Sequence, residues 1–243
     1  MLEFNKIYNE DCLETMKKLE DNSIDLVVTS PPYNMNLRIR NGKYCSRQIT
    51  KEFSTKYTNF DDNLPINDFY NQHSQILTEM LRCSKIIFYN ISIVTGSKRA
   101  FFKLIGEYSD YLKDIIVWNK MTAQPSMQKN VLNRQSELLL VFDKHNAISR
   151  QFEKCNFERG TMSDVWNIKR GKKINNTHGA TFPEELVEKI ILNFSNKKDK
   201  IYDPFSGTGT TLYVASKNDR LYIGSEISKE YCEISEKRLL NYL

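Results

Sequence analysis

The 243-residue chain holds three histidines and five cysteines, and no two cysteines stand at a C-x-x-C spacing. Cys12, Cys45, Cys83, Cys155 and Cys232 are odd in number and scattered, so neither a zinc site nor a disulfide framework is signalled and free thiols are expected. His73, His145 and His178 are equally isolated, and no metal site is expected. The longest apolar runs, such as Ile24–Val28 and Leu138–Phe142, fall far short of the roughly 18 residues of a membrane span. The opening MLEFNKIYNED carries acids where an export signal needs basic and then apolar residues, so a cytoplasmic protein with no membrane partner is expected. Internal repeats and low-complexity stretches are absent.

What is present has a globular composition, 40% hydrophobic and 27% charged, at a length that suits one domain over residues 1–243. The net charge of +5 is unevenly placed. From Asn34 to Thr58, six basic residues face Glu52 alone, a local +5; from Lys144 to Asn175, eight face three acids, again +5. The remainder is therefore acidic. Two basic segments on an acidic body point to a polyanion contacted by particular loops.

Ile24–Thr29, Ile86–Ile91, Asp114–Trp118, Glu137–Phe142, Lys200–Asp203 and Leu221–Glu226 read as strands, short and continuously apolar rather than alternating. That fits strands buried on both faces of a mostly parallel sheet. Helical patterns lie between them at Ile66–Cys83, Ser97–Tyr108, Pro183–Asn193, Thr210–Ser216 and Lys229–Tyr242. The alternation predicts a doubly wound α/β fold with the two basic segments as long loops or a small inserted lobe.

Two motifs follow strands, where an open α/β sheet places its ligand crevice. Thr29-Ser30-Pro31-Pro32-Tyr33 follows IDLVV. Its prolines remove two backbone donors, so the segment offers carbonyls and side chains. The Ser30 hydroxyl oxygen and the Pro31 carbonyl could hold both hydrogens of an exocyclic base amine and turn its lone pair toward an electrophile. Tyr33 offers a flat face for the base. A rigid turn closing a strand is the plainer alternative. Asp203-Pro204-Phe205-Ser206-Gly207-Thr208-Gly209-Thr210-Thr211 opens a helix after the second strand. It lacks the third glycine of the dinucleotide fingerprint and the lysine of a P-loop, but suits a nucleoside with a charged tail. Glu226, about 20 residues on, stands where a carboxylate accepts from ribose hydroxyls, or is a strand-end surface acid. Asp11 either caps a helix or faces the crevice.

TSPPY together with DPFSGTGTT resembles the S-adenosylmethionine-dependent methyltransferases of exocyclic base amines. The order, catalytic tetrapeptide first and cofactor motif last, resembles the permuted beta class of DNA methyltransferases. Protein-glutamine and RNA-guanine methyltransferases place the glycine motif first. DIIVWNK, NRQSELLLVF, DVWNI and THGATFPEELVEKIIL resemble later blocks of the class, so the likeness covers essentially the whole chain. It implies a Rossmann-like methyltransferase domain in which Ser30, Pro31, Pro32 and Tyr33 are catalytic. It also implies that Thr29, Asp203, Phe205, Gly207 and Gly209 line the S-adenosylmethionine site, Glu226 holds the ribose and Asp11 the adenine amine. Thr181, Phe182, Pro183, Thr210 and Thr211 would lie near the methionine part. No role passes to His178, because the usual proline after it is replaced by Gly179.

The resemblance further implies double-stranded DNA as partner, with residues 34–58 as a basic DNA-contacting loop and 144–176 as a short target-recognition segment. Arg38, Arg40, Lys43, Arg47, Lys169, Arg170, Lys172 and Lys173 are the expected DNA contacts. A cognate restriction endonuclease often accompanies such enzymes; relatives often dimerise, though no feature here demands a homodimer. Cytosine-C5 chemistry needs a Pro-Cys pair, and no proline here precedes a cysteine. Within the class, Ser-Pro-Pro-Tyr leans to cytosine N4 and Asp-Pro-Pro-Tyr to adenine N6. Adenine N6 methylation by the same pocket and a non-catalytic DNA-binding protein with a degenerate methyltransferase fold are the alternatives.

Overall fold

The computed structural model describes residues 2–34, 38–40, 43–45, 64–124, 129–171 and 182–240. In chain order these form β1 (Lys6–Tyr8), α1 (Cys12–Lys17), β2 (Ile24–Thr29), β3 (Arg38–Arg40), β4 (Lys43–Cys45), α2 (Ile66–Cys83), β5 (Ser84–Ile91) and α3 (Lys98–Glu107). Then come β6 (Leu112–Gln124), β7 (Arg134–Asp143), β8 (Val165–Asn167), α4 (Glu184–Phe194), β9 (Lys200–Asp203), α5 (Thr210–Lys217), β10 (Leu221–Ser225) and α6 (Lys229–Leu240). Eight strands make one sheet in the order β1-β10-β9-β2-β5-β7-β6-β8, while β3 and β4 pair only with each other. The strands from β1 to β5 across the sheet are parallel, β7 is antiparallel to both its neighbours, and β8 is parallel to β6. This is the expected doubly wound, mostly parallel α/β fold.

The continuous apolar runs follow from burial on both faces. In β2, Leu26 and Val28 join one core and Ile24 and Val27 the other. Helices α1, α2 and α3 contribute to the second core and α4, α5 and α6 to the first. Helix α2 buries Phe69, Tyr70, His73, Ile76, Leu77, Met80 and Leu81, spaced for a single helical stripe. His73 belongs to that stripe: its ring packs against Phe69 and Phe101 and hydrogen-bonds the Tyr89 hydroxyl. Burial pushes its pKa down to about 3, so it stays neutral. Among the described residues no helix is long and apolar enough to cross a membrane.

Strands β1 and β8 are absent from the sequence reading. At three residues each they carry no periodicity of their own; pairing with β10 and β6 makes them strands. Strands β6 and β7 run longer than their apolar centres, extending into a hairpin whose far end exposes Met121, Val131 and Leu132. Between β7 and α4, Phe152 and Phe157 pack on Phe194, with ring centroids 4.9 and 5.6 Å away. Trp166 of β8 is also buried.

From β2 the chain moves outward to β5, and from β9 it moves the other way to β10, which lies beside the edge strand β1. The order of winding reverses between β2 and β9, so a crevice opens outside their carboxyl ends. Both motifs emerge there.

Candidate active site

A side-chain bond across the switch point joins the motifs: Thr29 Oγ1, at the end of β2, donates to Asp203 Oδ1, at the end of β9, at 2.6 Å. The Phe205 N–H donates to the same carboxylate at 3.0 Å. Asp203 is buried, and burial raises its pKa to about 6 against the lowering effect of bonds from Thr29, Thr211 and the Phe205 amide. Ser30–Tyr33 and Phe205–Gly209 therefore start from one shared wall.

The turn after β9 is shaped by two left-handed residues, Gly207 (φ +51°) and Gly209 (φ +75°). At Gly209 a Cβ would stand 1.8 Å from Ser235 Oγ on α6, so both backbone angle and space demand glycine. At Gly207 it would meet nothing nearer than the Phe205 carbonyl at 3.9 Å, so the turn borders open space. Glu226 lies just past β10. Its Oε2 accepts the Gly207 N–H at 2.9 Å and its Oε1 the Ser228 N–H at 2.8 Å. Burial raises its pKa, while those amides lower it. Each oxygen keeps a lone pair, enough for two neighbouring hydroxyls of a sugar. The surface-acid alternative gives way to a half-buried carboxylate oriented by the glycine turn.

Asp11 is the helix cap: its Oδ1 accepts the Leu13 N–H at 2.8 Å. It stands two residues past Asn9, whose Nδ2 bonds the Glu226 carbonyl at 2.8 Å, so Asp11 also shares the carboxyl edge of the sheet. Thr210 and Thr211 are buried and already engaged, Thr210 Oγ1 with Arg238 at 3.1 Å and Thr211 Oγ1 with the Val28 carbonyl at 3.3 Å. Phe182 packs on the first core just before α4. Arg238 ties α6 to the Thr208 carbonyl at 3.2 Å and to Glu184 of α4 at 2.5 Å, bracing the glycine turn from behind.

On the other side of the crevice, Ser30 Oγ lies 2.6 Å from the Tyr33 hydroxyl. Asn90, at the end of β5, donates from Nδ2 to the Tyr33 hydroxyl at 2.6 Å and to Glu137 Oε2 at 2.7 Å, with Ser30 Oγ at 3.3 Å. Glu137 on β7 also accepts from Tyr33 at 3.2 Å and, through Oε1, from Lys120 of β6 at 2.8 Å. Asn34 follows Tyr33 at φ +49° and bonds the Leu64 amide and carbonyl at 2.8 and 3.0 Å, holding together the two ends of the 35–63 segment. The sequence reading does not single out Asn34, Asn90, Lys120 or Glu137. Asn90 and Glu137 do carry a signal, as polar residues at the ends of the apolar runs IIFYNI and ELLLVF.

Strands β3 and β4 carry Arg38, Arg40 and Lys43. Lys169 and Arg170 are exposed beyond β8. Arg47, Lys172, Lys173, His178 and Thr181 lie outside the described residues.

A family model described as a DNA methylase matches residues 24–237. The type II methyltransferase M.HinfI of Haemophilus influenzae is 32% identical over 256 residues, covering 97% of this chain and 68% of that protein. Among solved structures, the PvuII DNA methyltransferase (cytosine-N4-specific) matches with a TM-score of 0.72 at 20% identity, covering 96% of this chain and 85% of that one. The M1.HpyAVI–SAM complex matches with a TM-score of 0.64 at 21% identity, covering 96% and 99%. At these identities the two structures speak for the fold. The Ser-Pro-Pro-Tyr turn, the glycine turn and the family match spanning both lead to one assignment: the chain belongs to the N6/N4 DNA methylase family.

Proposed function

We propose that this protein is a site-specific DNA methyltransferase that moves a methyl group from S-adenosylmethionine to the N4 amine of a cytosine flipped out of duplex DNA. The observation that carries this reading is the Thr29–Asp203 bond, which sets the Ser-Pro-Pro-Tyr turn against the glycine turn. The residues present fit the cofactor: Glu226 retains lone pairs for ribose hydroxyls, Gly207 borders open space, and Asp203 adds a second carboxylate to suit a cationic ligand. When bound, the cofactor supplies a methyl carbon activated by a sulfonium; the amine lone pair forms the N–C bond as the C–S pair returns to sulfur, and one amine proton must leave.

The chain's own part is to hold the base. Extruding it costs a few kcal/mol, regained in part by stacking on Tyr33. The Tyr33 hydroxyl is anchored by Asn90 and Glu137, which fixes its ring. Ser30 Oγ and the Pro31 carbonyl accept the two amine hydrogens, directing the lone pair away from the ring plane. Serine at the head of the tetrapeptide favours cytosine, and the PvuII neighbour is named as cytosine-N4-specific. Incubating DNA with the protein and S-adenosylmethionine, digesting to nucleosides and weighing the modified one tests this. N4-methyldeoxycytidine is expected; N6-methyldeoxyadenosine would overturn the base assignment, and no methylated amine would overturn the function.

Duplex DNA is read as bound through the basic residues of segments 34–58 and 144–176, among which Lys169 and Arg170 are exposed, while Phe152, Phe157 and Trp166 anchor the second segment on the first core. With about 6–10 phosphate contacts, affinity is expected to fall about 10³–10⁵-fold between 50 and 200 mM salt. A flat titration by fluorescence anisotropy would contradict this. A paired restriction endonuclease is a further part of the reading, supported by the type II relative.

A pH dependence follows from Asp203. Its pKa of about 6 leaves it ionised at pH 8 and largely neutral at pH 5. Ionised, it attracts the sulfonium of S-adenosylmethionine but has no such partner in neutral S-adenosylhomocysteine. If the sulfonium lowers that pKa by about one unit, the preference for the charged ligand shrinks about fivefold from pH 8 to pH 5. Calorimetric Kd values for both ligands measure it, and an unchanged ratio would contradict it.

A further inference from the structure

For Ser30 to hold an amine its oxygen must accept, so its own proton must point elsewhere. Tyr33 Oη, 2.6 Å away, can take that proton only if it donates its own onward, and Glu137 Oε2 at 3.2 Å is an acceptor within reach. The orientation of Asn90 is determined too. Nδ2 faces Glu137 at 2.7 Å, because the alternative would set a carbonyl against a carboxylate. This leaves Asn90 Oδ1 buried with no partner among the described residues, so the carboxylate fixes the amide against the cost of an unsatisfied carbonyl. Lys120, itself buried, occupies Glu137 Oε1 and supplies the countercharge, leaving Oε2 to the chain of hydroxyls.

We propose that Glu137 is the positioning residue of the transfer step: it orients Ser30 O–H toward Tyr33 O–H and is the terminus that receives the proton lost by the amine. This rests on the proposed function and deepens it. In the step, the amine N–H proton passes to Ser30 Oγ, the Ser30 proton to Tyr33 Oη, and the Tyr33 proton to Glu137 Oε2. The sulfonium charge and the carboxylate charge disappear together, so the pocket's net charge is unchanged. The proton then leaves from Glu137 to solvent.

Tyr33→Phe keeps the stacking ring and the Lys120–Glu137 pair but breaks the chain; Glu137→Gln keeps the shape and removes the acceptor. Each is expected to slow single-turnover methyl transfer about 10²-fold, and the double variant no further, since either change interrupts one unit. A binding readout without cofactor accompanies this. Wild type is expected to prefer a duplex with the target cytosine over one with 2-pyrimidinone there, which lacks the amine, and both variants to lose that preference. Transfer by Tyr33→Phe within about threefold of wild type, or losses that multiply in the double variant, would overturn the relay. Such a result with normal amine methylation by wild type removes the relay alone; wild type that methylates no amine removes the proposed function with it.

Discussion

Ser30→Ala is expected to lower the single-turnover rate of methyl transfer by about 10²–10³-fold, the loss typical when a positioned hydrogen-bonding group is removed from a reacting centre. Ser30 Oγ lies within reach of Tyr33 and Asn90, and on the proposed reading its oxygen is the acceptor that turns a delocalised amine lone pair out of the ring plane. Alanine leaves Pro31 to hold one hydrogen and lets the amine relax to planarity. The cofactor wall is untouched, because Thr29, Asp203 and Glu226 make no bond through the Ser30 side chain. Affinity for S-adenosylmethionine should therefore stay within about threefold of wild type. Rapid-quench assays with labelled cofactor measure the first quantity and calorimetry the second; near-normal transfer would remove Ser30 from the site.

Glu226→Ala acts on the opposite wall and gives the converse pattern. On the proposed reading the carboxylate accepts from two sugar hydroxyls, and in the structure it anchors the Gly207 and Ser228 amides. Hydrogen bonds to a charged group contribute about 1.5–3 kcal/mol each, so losing two raises the Kd for S-adenosylmethionine by at least about 10²-fold. At cofactor concentrations that saturate the variant, transfer should recover much of its rate, since the amine-holding turn is intact. A Kd within about threefold of wild type would show that the ribose is held elsewhere.

The legible parts of this molecule are those where backbone chemistry leaves a mark. Gly207 and Gly209 take left-handed angles that few other residues adopt, Pro31 and Pro32 lack backbone donors, and each pair follows an apolar run bounded clearly enough to read as a strand. The motifs and the fold class are therefore visible in one sequence. The amine-side network is not. Asn90, Lys120 and Glu137 come from three strands that are neighbours only because β7 turns antiparallel between β5 and β6, and no local pattern announces that reversal. Asp11 admits two readings in sequence; the bond from the Leu13 amide makes it a cap, and only the pairing of β1 with β10 brings it to the carboxyl edge of the sheet. The segment from Lys144 onward reads as basic loop and most of its described residues are exposed; what no local pattern announces is that Phe152, Phe157 and Trp166 pin it to the first core, where burying aromatic rings is favourable.

The most direct measurement is a crystal structure with S-adenosylhomocysteine and a duplex containing the unmethylated target site. The account predicts the target base outside the helix against Tyr33, its amine nitrogen about 3 Å from both Ser30 Oγ and the Pro31 carbonyl, and the ribose hydroxyls on Glu226 across the crevice. A base left stacked in the duplex, or an amine held by residues other than Ser30 and Pro31, would contradict it.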